Sequence, residues 1–168
     1  MKTLKILWES FLIGIAVAGL VVLVAIPFQQ HKKIDFLTQQ LDSLNMVQNE
    51  RYVQIQLEMI KDYMQQINLQ HKDIVYAQLL LETGNLTSTL YKTNNNLFGM
   101  KVAKQRPTSS INTKGYAKYN TWQESILDYA LWQTKYAHNL SKTEYLAFLE
   151  KYYAEDKNYI AKLKMLLP

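Results

Sequence analysis

The chain has no cysteine. Disulfide staples and thiolate metal sites are therefore excluded. This absence does not fix the compartment, because exported proteins without disulfides are common. Histidine is scarce: His31, His71 and His138 are far apart, and no His-Glu-x-x-His spacing occurs. No metal site and no cofactor is expected, and all three histidines read as structural or solvated. Acid is missing from one long stretch, since no Asp or Glu lies between Glu82 and Glu124. Residues 28–50 contain neither glycine nor proline. No internal repeat is visible.

A chain of 168 residues suggests one domain with appendages, with ample aliphatic and aromatic content for one core. The net charge of +5 suits an anionic partner. No nucleic-acid motif accompanies it, and aromatics alternating with lysine are scant in the basic loop, so no nucleic acid is expected.

Residues 11–27, "FLIGIAVAGLVVLVAIP", carry no charge. As a helix they span about 25 Å, against about 30 Å for the hydrocarbon of a bilayer. Lys2 and Lys5 precede the run, Trp8 suits one interface, and Lys32 with Lys33 suits the other. A cleaved signal peptide fits poorly, because "VAIPFQQ" has no clean Ala-x-Ala site. A buried core helix fits worse, because the run is apolar on every face. The expectation is an uncleaved transmembrane signal-anchor over 1–28. The domain would then lie on the extracytoplasmic side of the cell membrane.

Residues 29–49 read as a helical stalk. Ile34, Leu37, Leu41 and Leu44 recur at spacings of three and four. Two heptads leave room for no more than weak self-association. From Glu50 the texture changes, and all twelve tyrosines lie from Tyr52 onward. Residues 50–168 are expected to fold as the domain. "HKDIVYAQLLLET" reads as a helix with Asp73 in its first turn and Gly84 as its stop. Residues 99–120, with Gly, Pro, Ser and Asn-Thr-Lys-Gly, suit a small hairpin or a long loop. "TWQESILDYALWQTKYA" reads as a helix capped by Thr121, with Glu124 three residues on.

Val75, Leu79 and Glu82 stand at i, i+4 and i+7, so Glu82 extends an apolar stripe. Desolvation there raises a carboxyl pKa, and the negative end of the helix dipole acts the same way. An acid kept protonated near neutral pH is what glycoside cleavage requires of a general acid. A solvated glutamate beside a glycine cap is the plainer alternative, and this helix alone does not decide between them.

The residues beyond it bear on that choice. "AQLLLETGNLTSTLYKTNNNLFGMK" resembles the signature of bacterial and phage peptidoglycan N-acetylglucosaminidases, glycoside hydrolase family 73. The matching positions are Ala77, Gln78, Leu81, Glu82, Thr83, Gly84, Ser88, Leu90, Asn95, Asn96, Leu97, Phe98, Gly99 and Lys101. "YNTWQESILDYA" and "YYAEDKNYIAKL" resemble two further family elements, in the same order. The resemblance implies a mainly α (α+β), lysozyme-like domain with a small β-hairpin lobe across a glycan groove. It implies that Glu82 is the general acid for a β-1,4 bond after N-acetylglucosamine, and that Tyr119 lies in the cleft near the reacting sugar. Asn95, Asn96 and Phe98 would shape the groove, or would serve only as turn and core. Tyr116 and Trp122 would stack on sugar faces, or pack in the core.

In one respect the chain departs from the family. The loop of residues 100–118 is basic and lacks the second acid that members often carry there. Three outcomes stay open at this level: attack by the substrate's own acetamido oxygen, non-hydrolytic cleavage as in a lytic transglycosylase, or a non-catalytic glycan-binding envelope scaffold. The expected partners are peptidoglycan strands, and the membrane through residues 11–27.

Overall fold

The computed structural model describes the backbone of residues 2–167, and side chains from Gln29 onward. Among the described residues there are six helices: α1 (Lys2–Gln66), α2 (Lys72–Thr83), α3 (Thr89–Asn94), α4 (Trp122–Tyr136), α5 (Lys142–Tyr152) and α6 (Tyr159–Met165). The chain divides into two compact units, Met1–Arg51 and Tyr52–Pro168.

In the first unit the expected membrane run lies outside the residues whose side chains are described. Among the described residues, no helix is long and apolar enough to cross a membrane. Residues 29–51 are exposed throughout. The stripe of Ile34, Leu37, Leu41 and Leu44 is 52–66% exposed and unpartnered among the described residues.

In the second unit the core is built from buried faces of α1, α2, α4, α5 and α6. The end of α1 contributes Leu57, Ile60 and Met64, spaced three and four apart. Helix α2 buries Ile74, Val75, Ala77, Gln78 and Leu79. It stops where glycine allows: Gly84 takes φ 54°, and its N–H reaches back to the carbonyls of Leu80 and Leu81. Helix α3 is capped by Ser88. Helix α4 begins at Thr121, whose side chain accepts from Glu124 N–H. The Glu124 carboxylate meets the N–H of Asn120 at 2.9 Å, one residue before the cap. Helix α5 opens on a capping box of Ser141 and Glu144.

The expected hairpin lobe is not built as strands. A single antiparallel bridge, Lys101 with Tyr116, takes its place among the described residues. Three backbone bonds flank this pairing: Val102 N–H to Gly115 O, Ala117 N–H to Met100 O, and Ile111 N–H to Lys118 O. Between them, side chains occupy the backbone groups that a ladder would use. The Asn112 amide donates to the carbonyls of Lys114 and Tyr116 and accepts from Lys118 N–H. Such local bonds compete with sheet formation.

Arg106 and Asp128 fasten this loop to α4. The guanidinium grips both carboxylate oxygens, at 2.7 and 2.9 Å. The two side chains are only 3% and 0% exposed. Tyr119 OH donates to the same carboxylate at 2.8 Å, and Ser109 N–H at 3.3 Å. Burial opposes the charge on Asp128, yet hydrogen bonds, those from Arg106 foremost, hold its pKa below the ordinary carboxylate value.

Candidate active site

A groove of about 800 Å³ opens on the domain, the size of a small-ligand cleft. The last turn of α2 brings Glu82 to it. The turn after α3 brings Phe98, Gly99 and Lys101, and α4 brings Trp132 and Tyr136. The segment from α5 to α6 supplies Tyr153, Glu155, Asp156 and Tyr159.

Asn96 makes the turn between α3 and Gly99. Its buried amide donates to Met100 O and Ala117 O, and its carbonyl accepts from Phe98 N–H and Met100 N–H. The chain leaves this turn through Gly99 at φ 62°. A Cβ there would stand 3.2 Å from Oε2 of Glu82. Glycine thus serves twice, for the left-handed backbone and for close approach to the carboxyl.

Glu82 is half-buried. Its Oε1 accepts from Tyr159 OH at 3.0 Å. Among the described residues, Oε2 has no hydrogen-bond partner. Burial pushes the carboxyl above its ordinary pKa, and the Tyr159 bond works against that rise. No cation contributes. Tyr159 itself is pushed up, first by burial and then by the charge of Glu82, so it stays a phenol that can donate.

Aromatic rings form the surroundings. Phe98 lies 4.2 Å from Tyr129, centroid to centroid. Trp132 and Tyr153 meet edge to face at 5.4 Å, and Tyr153 lies 6.0 Å from Tyr159. The Tyr153 hydroxyl donates to the carbonyl of Phe98, tying the turn to the end of α5. The rim is basic. Lys101 faces Glu155 at 3.5 Å and Lys162 faces Asp156 at 2.7 Å, and Lys104 and Lys151 also border the groove.

Of the residues singled out from sequence, Glu82, Phe98 and Tyr116 line this groove. Phe98 is otherwise a core residue, at 1% exposure, while Tyr116 is exposed. The rest stand elsewhere. Tyr119 is buried, its hydroxyl donates to Asp128, and it does not border the groove. Asn95 caps α3 at φ 50° and donates to the carbonyls of Tyr119 and Asn120. Asn96 is the turn staple described above. Trp122 packs edge to face on Tyr63 at 5.5 Å. Local hydrogen bonds and core contacts satisfy these four, which for Asn95, Asn96 and Trp122 is the structural alternative.

Sequence reasoning gave no role to Tyr159, Gln78 and the two groove acids Glu155 and Asp156. The terminal "YYAEDKNY" element was the signal, because three of these four sit in it. Among the described residues, no group of three or more His, Asp or Glu side chains is placed to hold a metal ion.

With this geometry in hand, comparison with known proteins is informative. A family model named Glucosaminidase, described as mannosyl-glycoprotein endo-beta-N-acetylglucosaminidase, matches residues 32–167. Among solved structures, the chain is similar to the catalytic domain of the autolysin Auto from Listeria monocytogenes. The identity is 24%, the match covers 70% of this chain and 81% of that one, and the TM-score is 0.47. No curated protein matches.

Proposed function

Since this chain belongs to the glucosaminidase family, family 73 of the glycoside hydrolases, we propose that it cleaves the β-1,4 bond after N-acetylglucosamine in peptidoglycan, with Glu82 as general acid. That it is a glycoside hydrolase follows from the family; the polymer and the acid are the proposal. The observation that carries it is one carboxyl: Glu82 sits half-buried in a groove, one oxygen held by Tyr159 and the other unpartnered among the described residues.

Cleavage needs a proton on the bridging oxygen as the bond to the anomeric carbon breaks. A desolvated carboxyl with no cation beside it keeps that proton at a pH where an exposed glutamate has lost it. The aromatic walls offer apolar faces for sugar rings. The basic rim suits a polymer bearing carboxylates. In this reading residues 11–27 anchor the chain in the cell membrane, residues 29–49 form a stalk, and the domain works on the extracytoplasmic side. The exposed stripe on α1 supports weak pairing of stalks at most.

Digestion of purified sacculi with the full chain tests the reading. The expected products carry reducing N-acetylglucosamine ends, seen by mass spectrometry after borohydride reduction. Anhydro-muramic ends would replace hydrolysis with lytic transglycosylation. No products at all would leave a glycan-binding scaffold. Glu82→Gln keeps the volume and removes the transferable proton, so it should abolish release. Undiminished release by that variant would remove Glu82 from the mechanism.

A further inference from the structure

Behind Glu82 runs a chain of buried polar groups. Tyr159 OH bonds to Oε1 of Glu82 at 3.0 Å. Nε2 of Gln78 donates to the Tyr159 oxygen at 3.2 Å. Oε1 of Gln78 accepts from Tyr129 OH at 2.6 Å. Tyr129 OH and Tyr145 OH are 2.6 Å apart. Gln78, Tyr129 and Tyr145 are each 0% exposed. A buried glutamine costs stability unless every bond is made, and it packs no better than a methionine of similar length. Nothing in the reaction calls for it directly, since it does not border the groove.

With the Gln78 amide oriented as it stands, counting protons gives the direction of the chain. A phenol has one proton to give. Tyr129 gives its proton to Gln78, so the proton between Tyr129 and Tyr145 must come from Tyr145. The amide carbonyl is then filled, and the NH₂ end faces Tyr159. Tyr159 receives there and must spend its own proton on Glu82. Every donor in the row points toward the carboxyl. Turned end over end, the amide would accept from Tyr159 and take that proton away from Glu82.

We infer that Gln78 is a positioning residue: held by Tyr129, it makes Tyr159 a one-way donor to Oε1 of Glu82, so the proton that Glu82 delivers sits on Oε2. The inference rests on the reading of Glu82 as general acid. Oε2 is the oxygen beside Gly99, where a Cβ would stand 3.2 Å away. An acceptor-locked Oε1 prevents the proton from residing on the wrong oxygen, facing the protein. The other charged groups at the groove pair among themselves, Lys101 with Glu155 and Lys162 with Asp156, and Arg106 is taken by Asp128. Lys104 and Lys151 complete the charged rim.

The test reads Glu82 without turnover. Carbon-13 NMR of side-chain carboxyls follows its titration, and the resonance is assigned by its loss in Glu82→Gln. Two substitutions release the amide: Tyr129→Phe removes its anchor at nearly constant volume, and Gln78→Glu replaces its donor end with an acceptor. Both should move the Glu82 midpoint upward, by about half a pH unit or more, because Tyr159 is drawn away from it. In a Tyr159→Phe background, Tyr129→Phe should add nothing. The basic limb of the kcat profile should follow the midpoint. In Gln78→Glu, kcat should fall about tenfold with KM unchanged, because binding contacts are untouched. A midpoint unmoved in both variants overturns the inference, and so does a Tyr129→Phe shift that survives Tyr159→Phe. A midpoint that moves as expected in a protein with no glycosidase activity would keep the network and remove the general acid, so the two readings fail separately.

Discussion

Arg106→Met is the sharpest perturbation of the groove's scaffold. It removes a guanidinium that is 3% exposed and leaves Asp128 at 0% exposure with no cation. Breaking one side of a buried ion pair costs about 3–5 kcal/mol, because the remaining charge is neither solvated nor paired. Tyr119 OH and Ser109 N–H still bond the carboxylate, so the lower end of that range is expected. Domains of this size hold roughly 5–15 kcal/mol in total. The loss is therefore a large share, equivalent to a fall in Tm of roughly 10 °C or more. Urea unfolding followed by circular dichroism gives the value directly.

The pH dependence separates this account from simple loss of packing. In the native chain Asp128 has a folded pKa below its unfolded value. It therefore contributes stability that is present above the unfolded pKa of 3.8 and lost as pH falls through the depressed folded value. With Arg106 gone, burial dominates and the sign reverses. The deficit of Arg106→Met should then shrink as the pH is lowered from 7 toward 4, where Asp128 takes up a proton. Adding Asp128→Leu to Arg106→Met should recover part of the loss, since no buried charge remains. A loss under about 1 kcal/mol, or a deficit that grows on acidification, would refute the reasoning.

Two further expectations concern the carboxyl itself. Because burial raises Glu82, the group contributes stability that is fully present below its unfolded pKa of 4.5 and is lost as pH rises through the folded value. Glu82→Gln should therefore be more stable than the native chain at pH 7 and equal to it near pH 4, by about 1.4 kcal/mol for each unit of the rise; parallel denaturation curves at the two pH values check this. Gly99→Ala forces a side chain into φ 62° and sets its Cβ 3.2 Å from Oε2. It should cost about 1 kcal/mol by thermal unfolding and lower kcat more than KM changes, because the crowded oxygen is the one inferred to carry the delivered proton.

Local signals in this sequence were read well. The i, i+4, i+7 spacing of Val75, Leu79 and Glu82 marked a buried face of α2, and Gly84 and Thr121 marked the helix ends where they stand. The position of Glu82 on an apolar stripe foretold its burial, since Val75 and Leu79 on the same face are 0% exposed. Contacts between distant residues left no such trace. Tyr159 reaches Glu82 across 77 residues. Arg106 read as one more cation of a basic loop, yet it closes on Asp128 22 residues away. That closure also removed Tyr119 from the cleft, because the buried carboxylate claims the phenol. The Asn-rich stretch looked ready for sugar contacts, but amides that can bond four backbone groups fold inward wherever a turn leaves those groups unpaired.

The same facts show how one carboxyl can be prepared by parts that never touch substrate. The Asn96 turn and Gly99 bring backbone against Oε2, and the row from Tyr145 to Tyr159 fills Oε1. The Arg106–Asp128 pin holds the loop from which Lys101 and Tyr116 reach the groove. These devices draw on different forces: backbone conformation, a polarised hydrogen-bond row and a buried ion pair. They should fail in different assays. Loosening the pin should lower Tm and raise KM through the mobile loop, while the Glu82 titration stays put. Releasing Gln78 should move that titration and leave KM nearly unchanged. If Arg106→Met shifted the Glu82 midpoint as far as Gln78→Glu does, the carboxyl would be governed by general loosening of the domain and the separate roles argued for these residues would collapse into one.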